Sequence, residues 1–301
     1  MTVDAVNTYD EFAPLLDAVR GIRWPSRGVV RGGMPGAHTS RLRGISAEFT
    51  EYRPYRQGDD LRRVDWKLFG RSDRAYIRLS NDRAILPTMI VVDASASMAF
   101  PTGTNGKWKL AAEIGVGLAA VARNSGDPIG FVVAGRAEPL MVAPRMRLSV
   151  LHEIMRAVSS ARPDGREPLA SAVSVAAQSA GRLVVISDLL GDAEDLLAVA
   201  GKWVAAGHEV LALHVIAREE IDPPRESVTV SDPEISTIRR ALTGETRAAY
   251  VEAFATWRER IAHDFSDAGV GYATVVVGDE TAEHLIRRIT AARAVGVSMS
   301  R

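Results

Sequence analysis

The feature that most constrains this chain is a recurrence of short, continuous apolar runs. From about residue 86 onward the runs TMIVVDA, IGFVVAG, RLVVISDLL, HEVLALHVI and VGYATVVVG appear in turn. A run without polar alternation is a strand buried on both faces, as parallel strands are. Helical patterns separate the runs: KWKLAAEIGVGLAAVARN, MRLSVLHEIMRAVSSA, PLASAVSVAAQSA, DAEDLLAVAGKWVAAG, ETRAAYVEAFATWRERIAHDFSDAG and TAEHLIRRITAARA. A short strand, EPLMVA, follows IGFVVAG through the turn GRA. Strands alternating with helices imply an α/β fold. The expected architecture is a doubly wound, mostly parallel sheet with right-handed crossovers and helices on both faces.

Residues 1–85 read differently. The start, YDEFAPLLDAVR, fits a short amphipathic helix, and RGGMPGAHTSRLRG is a loop punctuated by Gly, Pro and Ser. Between Arg20 and Arg83 there are fourteen Arg and one Lys against seven acids. The expected division is a small, partly irregular, β-rich and Arg-rich module at 1–85 and a larger domain at 86–295.

The formal net charge of the 301 residues is zero, so no global field draws the chain to nucleic acid or an anionic membrane. The basic residues of 20–83 are interleaved with acids, and no reader motif for nucleic acid occurs among them. There is no Cys, which removes disulfides, thiolate chemistry and Cys-ligated metals and fits a reducing compartment. No stretch of ~18–20 consecutive apolar residues is present, so no membrane span is expected. These features point to a soluble, cytoplasmic protein.

In doubly wound sheets, ligands bind at the carboxyl ends of strands, beside the switch in strand order. Two strand ends here carry hard oxygen groups: Asp93, Ser95 and Ser97 in VVDASASMAF, and Ser187 and Asp188 in VVISDLL. Two readings stay open. Carboxylate and hydroxyl oxygens suit Mg²⁺ or Mn²⁺. The same residues equally cap a following helix or satisfy the loop backbone.

Asp93-Ala-Ser95-Ala-Ser97-Met98 at the end of an apolar strand resembles the Asp-x-Ser-x-Ser motif of von Willebrand factor type A domains. The resemblance implies that fold for residues 86–295 and a metal-ion-dependent adhesion site at the strand ends. The family's later Asp falls on Asp188. Its intervening Thr falls in DGREPLASAV, where Glu167 stands instead; no Thr occurs between Leu151 and Gly191. The ligand set that the resemblance implies is therefore Asp93, Ser95, Ser97, Glu167 and Asp188, around Mg²⁺ or Mn²⁺. Glu167 either ligates the ion or pairs with an Arg such as Arg166.

A second resemblance covers GISAEFTEYRPYRQGDDLRRVDWKLFGRSDRAYIR. Glu48-Phe49, Arg53, Tyr55, Gly58-Asp59-Asp60, Arg62 or Arg63, Asp65-Trp66 and Arg71, with upstream Gly36, His38, Ser40 and Gly44, resemble the signature of the bacterial "domain of unknown function 58" family. It implies an adaptor of chaperone-like systems whose partner is a MoxR-type AAA+ ATPase. Read from chemistry alone, the block is structural. Gly58 suits a turn, Asp59 suits the cap of a helix DLRRVDWKLF, and Trp66 and Phe69 suit docking anchors. Asp65 and Glu48 can pair with Arg53, Arg56, Arg62 or Arg63.

Other signals fail on context. TGTNGKWK lacks the first Gly of a phosphate loop, which would fall on Pro101, and has Trp108 where Ser or Thr is required. GVGLAA lies inside a helix, not at a strand-to-helix turn. His214 lies within a strand, as a packed residue does. The function these observations support is a non-enzymatic protein-interaction module. The alternative is a metal-dependent hydrolase using Asp93, Asp188 and Glu167.

Overall fold

The structure is a computed structural model. It describes residues 4–26, 35–39, 49–57, 59, 64–72, 74–80, 83–101, 106–191, 193–226, 228–231 and 239–291. The chain divides into two compact units, residues 25–86 and residues 1–24 with 87–301. The first helix, α1 (Asp4–Ala18), therefore belongs to the large unit and not to the small module with which its position in the sequence groups it. The physical reason is apolar. Phe12, Val19 and Trp24 are buried in the core of the large unit.

The small unit holds two antiparallel pairs. Strand β1 (Pro35–Thr39) pairs with β4 (Arg83–Ala84), and β2 (Phe49–Pro54) pairs with β3 (Tyr76–Ser80). Helix α2 (Trp66–Ser72) lies between β2 and β3 in sequence. Its cap is Asp65, not Asp59: the Asp65 carboxylate accepts from the amides of Lys67 and Leu68 at 3.0 Å each. Asp59 instead accepts from the Arg56 amide and pairs with Arg53, both at 2.7 Å, which holds its carboxyl below the usual range. Trp66 is 62% exposed and meets Phe69 edge-on. Of the signature, Ser40, Gly44, Glu48, Gly58, Asp60, Arg62 and Arg63 lie outside the described residues.

The large unit is built on a six-stranded sheet. Its strands are β5 (Thr88–Asp93), β6 (Ile129–Ala134), β7 (Leu140–Arg145), β8 (Arg182–Ser187), β9 (Glu209–Ile216) and β12 (Gly271–Val276). Their order across the sheet is β12-β9-β8-β5-β6-β7, parallel except for the β6–β7 hairpin. From β5 the chain runs outward to β6 and β7, then returns to place β8 on the other side of β5. The switch in strand order therefore falls between β5 and β8. This is the expected doubly wound, mostly parallel sheet.

Alternation along each strand feeds two cores. Ile90 and Val92 of β5, Phe131 and Val133 of β6, and Val184 and Ile186 of β8 face one cluster. Met89 and Val91, Val132 and Ala134, and Leu183 and Val185 face the other. Each large side chain of these contributes about 1.5–3 kcal/mol on burial, which is why the middles of these runs are apolar. On the first face lie α1, α3 (Lys107–Asn124), α4 (Val150–Ser160) and α9 (Ala282–Ala291). On the second lie α5 (Leu169–Ala177), α6 (Ala193–Ala205) and α8 (Gly244–Asp267).

Helix α3 is buried along most of its length, and its glycines have a packing reason. A Cβ at Gly115 would stand 2.9 Å from Val92, and one at Gly117 would stand 2.2 Å from Ile286. A one-turn helix, α7 (Arg218–Ile221), follows β9. The stretch RESVTVSDPEISTI, an extended excursion by sequence, includes β10 (Val228–Ser231), which pairs antiparallel with β11 (Arg239–Leu242). At the opposite end of the sheet from the switch site, buried Arg182 pairs with Glu209 at 2.9 Å and lies 4.2 Å from the Trp24 ring. That contact ties residues 1–24 to the strand starts. Among the described residues, no helix is long and apolar enough to cross a membrane.

Candidate functional site

Parallel strands end together, so the topology delivers Asp93 of β5 and Ser187-Asp188 of β8 to one place. The Ser187 hydroxyl donates to Asp93 Oδ2 at 2.6 Å and ties the two strand ends directly. Asp93 Oδ1 accepts from the Ser95 amide at 2.8 Å, the local turn that an Asp at a strand end favours. A single turn of 3-10 helix, Ala96–Ala99, follows. It brings the Ser95 and Ser97 hydroxyls to 3.0 Å from each other, a spacing that serves a mutual hydrogen bond or a shared cation. Asp93, Ser95, Ser97 and Asp188 are all buried.

Neighbouring loops are laid against this turn by backbone bonds. The Gly165 amide donates to Ala94 O at 3.0 Å, and the Ala96 amide donates to Gly165 O at 2.9 Å. Only Gly fits there, because a Cβ on residue 165 would lie 1.8 Å from the Gly135 carbonyl oxygen. The Glu167 amide then donates to Gly135 O at 3.1 Å. The Glu167 side chain is exposed, unlike the buried Asp93, Ser95, Ser97 and Asp188.

The residue that sequence reasoning missed is Lys107, the first residue of α3. It is 0% exposed. Its ammonium donates to Asp188 Oδ2 at 2.7 Å and to Glu220 Oε1 at 2.6 Å. Glu220 comes from α7, and its Oε2 accepts from the Ala217 amide at 2.7 Å. Asp188 Oδ1 accepts from the Leu190 amide at 3.1 Å. Each of the six carboxylate oxygens of Asp93, Asp188 and Glu220 thus has a protein donor. The only sequence signal for Lys107 was its place in the rejected phosphate loop. Its partners lie 81 and 113 residues away.

Burial, together with the nearby Asp188 charge, raises the Asp93 carboxyl to about 6 against the pull of its hydrogen bonds. Burial likewise raises Glu220, opposed by Lys107. His214 of β9 packs edge-on to Trp257, and its Nδ1 lies 2.6 Å from the Tyr272 hydroxyl. Burial lowers it to about 3, so it stands neutral as a packed residue.

With the Lys107 ammonium on Asp188, the residues present do not fit a divalent ion. A buried ammonium already neutralises Asp188, and both oxygens of Asp93 hold hydrogen bonds within the protein. Glu167, in the Thr position of the motif, has its side chain at the surface.

A mostly parallel doubly wound sheet, with Asp-x-Ser-x-Ser closing its central strand and a second Asp on the neighbouring strand, is an α/β domain with the fold that the von Willebrand factor A resemblance implies. The chain belongs to the family described as "Protein of unknown function DUF58", whose profile matches residues 51–260. The uncharacterized protein Rv1480 of Mycobacterium tuberculosis is 26% identical over 287 residues, covering 93% of this chain and 90% of that protein. Among solved structures, an aerotolerance-related membrane protein from Bacteroides fragilis is 18% identical, covers 68% of this chain and 96% of its own, and has a TM-score of 0.42. BatB from Bacteroides thetaiotaomicron is 15% identical over 68% of this chain and 97% of its own, with a TM-score of 0.42. A von Willebrand factor type A structure from Catenulispora acidiphila is 12% identical, covers 70% of this chain and 43% of its own, and has a TM-score of 0.38.

Proposed function

We propose that this chain is a non-enzymatic protein-interaction module of the cytoplasm, and that it recognises its partner through the loops at the carboxyl ends of the strands. The observation that carries this reading is the internal pairing of the buried cluster. Every carboxylate oxygen of Asp93, Asp188 and Glu220 is engaged by the protein itself. A cluster so engaged fixes the shape of the loops around it and leaves no base aimed at a substrate.

The outer layer of the same loops has the opposite character. Phe100 is 40% exposed and Leu190 is 41% exposed. Beside Leu190 lies a shallow cavity of about 370 Å³, whose lining includes Leu189, Gly191, Glu194, Trp257 and Arg260. Exposed apolar residues with a rigid buried support and a charged margin suit protein docking. The partner class is a MoxR-type AAA+ ATPase or its client, which rests on the family resemblance.

Co-purification tests this reading. The wild-type chain retains such an ATPase from cell extract, while Leu190→Asp, unfolding at the same midpoint, loses it. Equal retention by both proteins removes the strand-end face from recognition. Retention of no AAA+ protein by the wild type removes the partner class.

A further inference from the structure

We infer that the Lys107 ammonium is the resident cation of the strand-end cleft, and that it closes to divalent ions a site whose oxygen donors are otherwise in place. The donors are Asp93, Ser95, Ser97 and Asp188. The Ser95 and Ser97 hydroxyls stand 3.0 Å apart, and the Asp93 and Asp188 chains enter from adjacent strand ends. Carboxylate and hydroxyl oxygens at such spacing are what Mg²⁺ and Mn²⁺ take.

The ammonium stands in the way on two counts. It takes the Asp188 carboxylate at 2.7 Å and adds a positive charge that the protein cannot move to solvent, because the side chain is fully buried. A divalent ion in the same cleft meets that charge at short range and low dielectric. Glu220 holds the ammonium from the other side at 2.6 Å, so the lysine is clamped between two carboxylates. A tethered cation of this kind is always present, whereas a free ion comes and goes with its concentration. The cleft therefore holds one charge state at any metal concentration. The inference concerns the cation alone and stands whatever protein docks on the face above it.

The test is Mn²⁺ titration of the full chain, read as one-site heat in calorimetry and as loss of the free-ion resonance. Wild type takes up no stoichiometric Mn²⁺ at millimolar concentration. Lys107→Met takes up one ion per chain and unfolds at a higher temperature in its presence. Adding Asp93→Asn to Lys107→Met abolishes that uptake. If Lys107→Met does not fold, Lys107→Met/Glu220→Gln removes the lysine together with one of its carboxylates, and the same gain is expected. Stoichiometric uptake by wild type that Asp93→Asn removes overturns the inference. So does a folded lysine-free variant that takes up none.

Discussion

Replacing Lys107 with Met keeps much of the side-chain length and removes the charge. The structure sets the scale of the result. The lysine side chain is fully buried, and its partners Asp188 and Glu220 retain side-chain exposures of 2% and 12%. The variant thus strands two carboxylates in the interior with no counter-charge. Removing one partner of a buried ion pair costs about 3–5 kcal/mol, because the remaining charge is left uncompensated. For a unit of this size that lowers the melting temperature by roughly 6–20 °C.

Urea unfolding followed by circular dichroism is the assay, run on both proteins across a pH series. The loss has a definite pH signature. Burial raises Glu220, and Lys107 opposes that rise. Without the lysine, the folded-state value climbs further above the unfolded one. A group raised on folding adds stability at low pH and loses it as pH rises through the folded value. The gap between variant and wild type therefore narrows as pH falls from 7 toward 5. A loss under about 1 kcal/mol, within the range of an exposed ion pair, refutes the reasoning. A gap that widens on acidification refutes it too.

Other outcomes follow from the same geometry. Gly165→Ala forces the loop away from Gly135 and costs about 1–3 kcal/mol in urea unfolding, whereas Gly244→Ala, with nothing within 4 Å of its Cβ and no left-handed backbone, costs less. His214 stands at about 3 folded against about 6.5 unfolded. The unfolded chain binds the extra proton between those values, so stability present at neutral pH is lost on acidification, with a slope of up to about 1.4 kcal/mol per pH unit; a His214→Gln variant shows a shallower decline. Deleting residues 1–24 removes Phe12, Val19 and Trp24 from the core, on the order of 5 kcal/mol at about 1.5–3 kcal/mol each, and increases dye binding to exposed apolar surface.

Much of the fold was legible because a strand buried on both faces cannot hide. The middles of β5, β6, β8 and β9 are apolar on both faces, with polar residues chiefly at the strand ends, and α3 runs from Lys107 to Asn124 just as its pattern reads. The loop at Asp93, Ser95 and Ser97 was legible too, since its residues are close in sequence. What stayed hidden depends on contacts between distant segments. The amphipathic pattern of α1 does not say which core it joins. A Lys at a helix start reads as a solvated residue, and nothing local marks Lys107 as buried between Asp188 and Glu220. Glu220 sits on a single helical turn, too short for any periodic signal. The cap of α2 is not legible in sequence, because Asp59 and Asp65 both precede plausible helix starts and only the backbone geometry separates them.

The recognition face is tested most directly by a binding isotherm between the full chain and a purified MoxR-type ATPase, recorded with Mg²⁺ and again with a chelator acting on the chain alone before mixing. Saturable binding by wild type in both conditions, and none by a folded Leu190→Asp variant, is the predicted result. Absence of binding by wild type, or isotherms that coincide for wild type and Leu190→Asp, contradicts it.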